Sequence, residues 1–190
     1  MELTLIISGG ILLGCLIALS WFAGSDAPYV PTKKERIKKI LKLSGLKRKD
    51  KFWELGSGDG RVVLEAAKMG AKAYGVEQSL LRILFSRWQT YQQNLKNAHF
   101  IHGNIFHLSH AVINEISNAD LVFIFLLPKG VSKLEPILRN NLKKGARVIT
   151  QTFHFKHWRP IEKILITDKN NPNTLLGENK YEGDFWIYRV

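Results

Sequence analysis

The sequence predicts an α/β domain built on a mostly parallel sheet with helices on both faces. Three stretches carry this reading. Phe52 to Leu55 is a short apolar run holding an acid, and it passes through a glycine-rich turn into the helical pattern Val62-Val63-Leu64-Glu65-Ala66-Ala67. Ala71 to Glu77 is a second short run ending in an acid, about twenty residues beyond the first glycine. Asp120 to Pro128 is the most continuous apolar run after the N-terminus, short enough for a strand buried on both faces.

In chain order, Leu3 to Phe22 holds twenty uncharged residues, ten of them Leu or Ile. At about 1.5 Å per residue they would span roughly 30 Å of hydrocarbon, which predicts a transmembrane anchor over residues 1–24. Trp21 and Phe22 sit where an interfacial belt would be. A cleaved signal peptide is the rival, and the acidic Met1-Glu2 start and the length of the run favour the anchor. Residues 25–51 form a proline-containing linker and a basic segment: Lys33 to Lys51 carries ten Lys or Arg against two acids. Within it Ile37, Ile40 and Leu41 recur at helical spacing, with Thr32 as N-cap and Glu35 completing a capping box. Such a helix can sit on anionic headgroups, at about 1 kcal/mol per charge, or simply expose a solvated basic face. Positive-inside places this flank, and the domain after it, on the cytoplasmic or matrix side.

The domain proper is expected over 52–190. After Glu77, Ser79 caps a helix to about Asn94, with Leu80, Leu81, Leu84, Trp88 and Tyr91 on its buried face. Ala98 to His102 is the third strand, Asp120 to Pro128 the fourth, Val131 to Leu142 a helix and Ala146 to Thr152 the fifth strand. Ile161 to Thr167 and Phe185 to Val190 should close the sheet as an antiparallel pair at one edge, joined through an Asn-rich loop. The lone Cys15 excludes an internal disulfide framework. With 28 Lys+Arg against 16 Asp+Glu, the chain suits an acidic partner.

Chemistry concentrates in Glu54-Leu55-Gly56-Ser57-Gly58-Asp59-Gly60. A dinucleotide fingerprint spaces its glycines G-x-G-x-x-G and leaves the helix start to a pyrophosphate, whereas here the spacing is E-x-G-x-G-x-G with two carboxylates. Those acids would repel a pyrophosphate and favour a ligand bearing an ammonium or sulfonium. Glu77 stands where ribose hydroxyls are held in such folds. The set resembles the class I S-adenosylmethionine-dependent methyltransferases, with their Rossmann-like seven-strand sheet.

Further stretches narrow the resemblance. Pro28-Tyr29-Val30-Pro31-Thr32, Gly75-Val76-Glu77, Phe125-Leu126-Leu127-Pro128, Gly145-Ala146-Arg147-Val148 and Phe153-His154-Phe155 with Trp158 and Pro160 are similar to the lysine methyltransferases that act on the ATP synthase c-subunit and on the adenine nucleotide translocase, and to their prokaryotic relatives. The resemblance implies S-adenosylmethionine as cofactor, held by Glu54, Gly56, Ser57, Gly58, Asp59, Gly60, Glu77, Asn104 and Ile105. Asn104 departs from the acid that relatives commonly carry against the adenine. It also implies a substrate channel of Tyr29, Thr32, Leu127, Pro128 and Trp158, with Phe155 beside them. No dedicated base stands out; His154 and His157 are candidates more in keeping with structural roles. The expected partner is a protein substrate presenting lysine, a membrane protein included, and neither a metal nor nucleic acid is expected. Leu126-Leu127-Pro128-Lys129 stands where base methyltransferases carry Asn/Asp-Pro-Pro-aromatic. A lipid or small-molecule methyltransferase and a non-catalytic scaffold are the alternatives.

Overall fold

The computed structural model describes residues 2–22, 30–166 and 183–190. Its centre is a seven-stranded sheet in the order β3-β2-β1-β4-β5-β7-β6. Strands β1 (Lys51–Leu55), β2 (Lys72–Glu77), β3 (Ala98–His102), β4 (Leu121–Ile124) and β5 (Arg147–Gln151) run parallel. The last strand, β7 (Phe185–Arg189), lies antiparallel between β5 and the short edge strand β6 (Glu162–Ile164). The expected closing pair is thus present at one edge. The helices are α1 (Glu2–Phe22), α2 (Lys34–Leu43), α3 (Arg61–Lys68), α4 (Leu80–Gln92), α5 (His110–Ser117) and α6 (Pro128–Asn141). Helix α5, capped by the Ser109 hydroxyl accepting from the Val112 N–H, was not expected from the sequence.

Alternation along the central strands builds two cores. Phe52, Leu121 and Phe123 face one way, against Ile37, Ile40 and Leu41 of α2 and Val63 and Ala66 of α3. Trp53, Leu55, Val122 and Ile124 face the other way, against Val131, Leu134 and Leu138 of α6. A strand buried on both faces has no polar side to show, which is why β4 reads as an unbroken apolar run.

Three expectations are corrected. The first is the membrane anchor: among the described residues no helix is long and apolar enough to cross a membrane. The single-pass placement, with the domain on the cytoplasmic or matrix side, falls with it. The second is the cap of α2. Lys33, not Thr32, is the N-cap residue, and the Thr32 hydroxyl donates instead to Gln151 Oε1 at 2.9 Å. No capping box forms.

The third is the buried face of α4. Its inward residues are Arg82, Ile83 and Ser86, while Leu80, Leu84, Trp88 and Tyr91 are exposed. The inward face is fixed by what it must fit. A Cβ on Gly60 would stand 2.7 Å from Ser86 Oγ and 2.6 Å from Phe100 Cζ, so a small side chain is needed at 86. Arg82 is drawn in by Glu77, its Nη1 3.5 Å from Glu77 Oε1.

Candidate active site

The carboxyl ends of β1, β2 and β4 open onto one cleft, where an open parallel sheet holds ligands. At one end it is lined by Glu54, Gly56, Ser57, Gly58, Asp59, Arg61, Glu77, Gln78, Arg82, Asn104 and Ile105. At the other stand Val30, Pro31, Thr32, Phe125, Leu126, Leu127 and Phe153. Eight of the nine residues expected around a cofactor therefore line one cleft.

The ninth, Gly60, lies just behind the turn as the N-cap of α3, at φ 79°. An L-residue is strained there, and the contacts with Phe100 and Ser86 leave no space for a Cβ. Gly56, at φ 88°, faces the other end of the cleft: a Cβ on it would lie 3.0 Å from Leu126 Cδ2. Hydrogen bonds hold the turn. The Gly56 and Ser57 N–H groups donate to the Val76 carbonyl, and the Gly58 N–H donates to Glu77 Oε2 at 2.9 Å. Glu77 Oε1 accepts from the Ser79 N–H at 2.9 Å, so this buried carboxylate ties the turn to the start of α4.

The two motif acids are in different states. Asp59 is paired: Arg61 Nη2 donates to its Oδ2 at 2.6 Å and Arg61 Nε to its Oδ1 at 2.9 Å. Glu54 is buried, and its Oε2 has no hydrogen-bond partner among the described residues. Burial, then the charges of Asp59 and Glu77, push its carboxyl well above the ordinary 4.5, against a hydrogen bond from the Val63 backbone and the Arg61 guanidinium. The sequence argument for a cationic ligand thus rests on Glu54. Ser57 Oγ is likewise buried and without a partner among the described residues. Two orphaned polar atoms beside a turn that presents Gly56 and Gly58 to the cleft fit a compact ligand bearing an ammonium.

Arg61 also reaches across the cleft. Its Nη1 donates to the Thr32 carbonyl at 3.1 Å, and the Thr32 hydroxyl donates to Gln151. The path Asp59, Arg61, Thr32, Gln151 fastens the 30–32 segment over the sheet. Beyond Gln151 the chain turns through Thr152, a non-glycine residue at φ 67°, which brings Phe153 to the cleft.

Of the expected channel residues, Thr32 and Leu127 line the cleft. Pro128 is the first residue of α6 and is not among the lining residues. Trp158 is not among them either: it stacks on Phe155 at 5.4 Å and tilts against Tyr188 in the core behind the sheet. Tyr29, with Pro28, lies outside the described residues, as does 167–182. His154 and His157 are exposed and line no part of the cleft. Sequence reasoning missed Arg61, Arg82, Phe106 and Phe153. Arg61, Phe106 and Phe153 each adjoin a stretch that was read for the site, the glycine-rich turn, Asn104-Ile105 and the run to Trp158, whereas Arg82 carried no signal.

The comparisons with known proteins give the family. The ANTKMT methyltransferase domain model matches residues 54–162. Over 160 residues the chain is 33% identical to a protein-lysine N-methyltransferase of Saccharolobus islandicus, covering 80% of this chain and 96% of that protein. It is also 33% identical to the human ATP synthase c-subunit lysine N-methyltransferase over 134 residues, covering 70% of this chain and 54% of that protein. The chain thus spans about half the length of the human relative. Among solved structures, an RNA methyltransferase from Salinibacter ruber holding S-adenosyl-L-homocysteine superposes with a TM-score of 0.70 at 27% identity, over 85% of this chain and 94% of that one. A methyltransferase from Thiobacillus denitrificans, also with S-adenosyl-L-homocysteine, shares the fold with a TM-score of 0.56 at 17% identity, over 80% of this chain and 59% of that one. The chain belongs to the ANTKMT methyltransferase domain family: it is a class I methyltransferase related to the protein-lysine methyltransferases, with S-adenosylmethionine as its cofactor.

Proposed function

We propose that this chain methylates the ε-amine of lysine in a protein substrate. The observation that carries the reading is the division of one cleft into a charged end, with the orphaned Glu54 Oε2, and an apolar end of Phe125, Leu126, Leu127 and Phe153. At the charged end Glu54 takes the cofactor's ammonium and Glu77, with Ser57, its ribose side. Asn104 Oδ1 accepts from the Phe106 N–H at 2.8 Å, which leaves its amide NH2 as a donor to the adenine. Asp59 acts through Arg61, as a fastening of the turn.

Bound there, S-adenosylmethionine supplies a sulfonium methyl whose C–S bond breaks as the amine forms its N–C bond. The amine must arrive neutral, and a lysine in water titrates near 10.4. An apolar wall disfavours the ammonium and lowers that value, so the proton leaves to solvent as the side chain enters. Among the described residues no histidine lines the cleft to receive it. Orientation and exclusion of water are then what these side chains contribute.

That the relatives are lysine N-methyltransferases supports lysine as the acceptor. The Salinibacter ruber protein, an RNA methyltransferase at 27% identity, together with the net charge of +12, supports RNA as a second reading. Transfer of radiolabelled methyl from S-adenosylmethionine by the full chain into extracts, followed by fractionation, separates these. Acid-stable label in protein, mapped to lysine by mass spectrometry, is expected. Label recovered in RNA, lipid or small molecules would overturn the proposal.

A further inference from the structure

The exposed side of α2 is a row of cations that begins at the mouth of the cleft. Thr32, at the mouth, is bonded to Gln151 at the carboxyl end of β5, and the Ser44 carbonyl after α2 accepts from Arg147 at the start of β5. The helix therefore runs from the open edge of the sheet to its opposite edge, antiparallel to β5. Its buried residues are Arg36, Ile37, Ile40 and Leu41, which leaves Lys34, Lys38, Lys39 and Lys42 exposed together with Glu35 and Leu43. Lys34, Lys38 and Lys42 are four residues apart, so they succeed one another about 6 Å along the axis. Glu35 is the one acid of this helix, and Lys38 lies 3.8 Å from Glu65, which Lys68 shares at the same distance.

A spacing of about 6 Å matches alternate residues of an extended chain, which fall about 6.6 Å apart on one side. We propose that α2 is a docking surface for an acidic, extended segment of the protein substrate, with acids at alternate positions on one side of the target lysine. The proposal rests on the lysine reading above and names the context in which that lysine is read. The row starts two residues from Thr32, so a peptide whose lysine enters beside Thr32 is already aligned with it. Charge complementarity of this kind selects partners and speeds encounter more than it tightens binding.

Three peptides test this with the full chain. One carries Glu-Ser-Glu-Ser-Glu after its single lysine, one carries it before, and one has Gln for every Glu. One acidic order should show a KM about tenfold below the Gln peptide with kcat unchanged, a preference that fades in high salt. The preference should disappear in Lys34→Gln/Lys38→Gln/Lys42→Gln and persist in the control Lys96→Gln/Lys144→Gln. Equal KM for all three peptides, or a preference that survives the triple change, would overturn it. Fluorescence anisotropy of the labelled peptides reads docking without methyl transfer. Loss of the lysine reading with docking intact is therefore distinguishable from loss of docking. If the triple variant loses affinity for poly(U) or for anionic vesicles while its affinity for the acidic peptide is unchanged, the surface serves another partner and the proposal fails.

Discussion

The two ends of the cleft are built on different plans. The charged end comes mostly from two short stretches, residues 54–61 and 77–82, with Asn104 and Ile105, and Glu77 is tied to the turn and to the start of α4 by hydrogen bonds of 2.9 Å. The apolar end is assembled from 125–127 and 153, which follow the paired strands β4 and β5, and from 30–32, which Thr32 fastens through Arg61 and Gln151. A ligand common to a whole family can be held by a rigid local motif. A substrate that distinguishes one member from another falls to parts that are far apart in sequence and held by a few side chains.

The largest expected effect separates binding from stability at the charged end. Glu54→Gln should weaken binding of S-adenosyl-L-homocysteine on the order of 100-fold, because the ligand's ammonium loses its charged partner. The same change should stabilise the unliganded protein, since Glu54 is a buried carboxylate with an orphaned oxygen. The pH dependence follows from the sign of the shift. The folded-state carboxyl titrates above the ordinary 4.5, so its contribution to stability is full below that value and is lost as pH rises through the folded value. Thermal unfolding of the unliganded protein across that range should show the loss, and Glu54→Gln should remove it.

Next comes the turn itself. Gly60→Ala should lower stability by about 2–3 kcal/mol, combining the left-handed backbone with the collision against Phe100 and Ser86. Denaturant unfolding measures it, and the double change with Phe100→Leu should recover part of the loss. At the apolar end, Phe153→Ala should raise KM for a lysine peptide about tenfold while leaving the affinity for S-adenosyl-L-homocysteine unchanged. Equal losses of both would erase the distinction between the two ends. The smallest effect should be Thr32→Val, which leaves the fully buried Gln151 Oε1 without its donor at about 1 kcal/mol of stability. Limited proteolysis before Lys33 should then quicken.

The same contrast accounts for what was legible in the sequence. Glu54 and the glycines are neighbours in the chain and Glu77 ends the next strand, so their types and spacing carry their chemistry, and the charged end with its strand-turn-helix frame could be read directly. The central place of β4 could be anticipated because it is apolar on both faces. Helix α4 has an apolar stripe at proper helical spacing, and it still points outward. Its inner face is claimed by small Ser86 against Gly60 and by Arg82 against Glu77, demands that arise only once the turn is folded. Thr32 reads locally as a cap, but its hydroxyl is taken by a residue 119 positions away. Trp158 and Phe153 lie in one stretch, yet after the turn at Thr152, with its positive φ, Phe153 lines the cleft while Trp158 packs within the core.

The claim that Glu54 is the cation-binding acid of this cleft is tested most directly by calorimetry of S-adenosyl-L-homocysteine binding to the full chain. Titration is done in two buffers of different ionisation enthalpy, for the natural chain and for Glu54→Gln. At pH values between the ordinary 4.5 and the raised folded value, binding should release a proton from the natural chain, since a carboxyl held high becomes ionised when an ammonium arrives, and the variant should bind weakly with no release. Equal affinity of the two proteins, with no proton exchanged by either, would contradict this assignment and move the cofactor's ammonium elsewhere in the cleft.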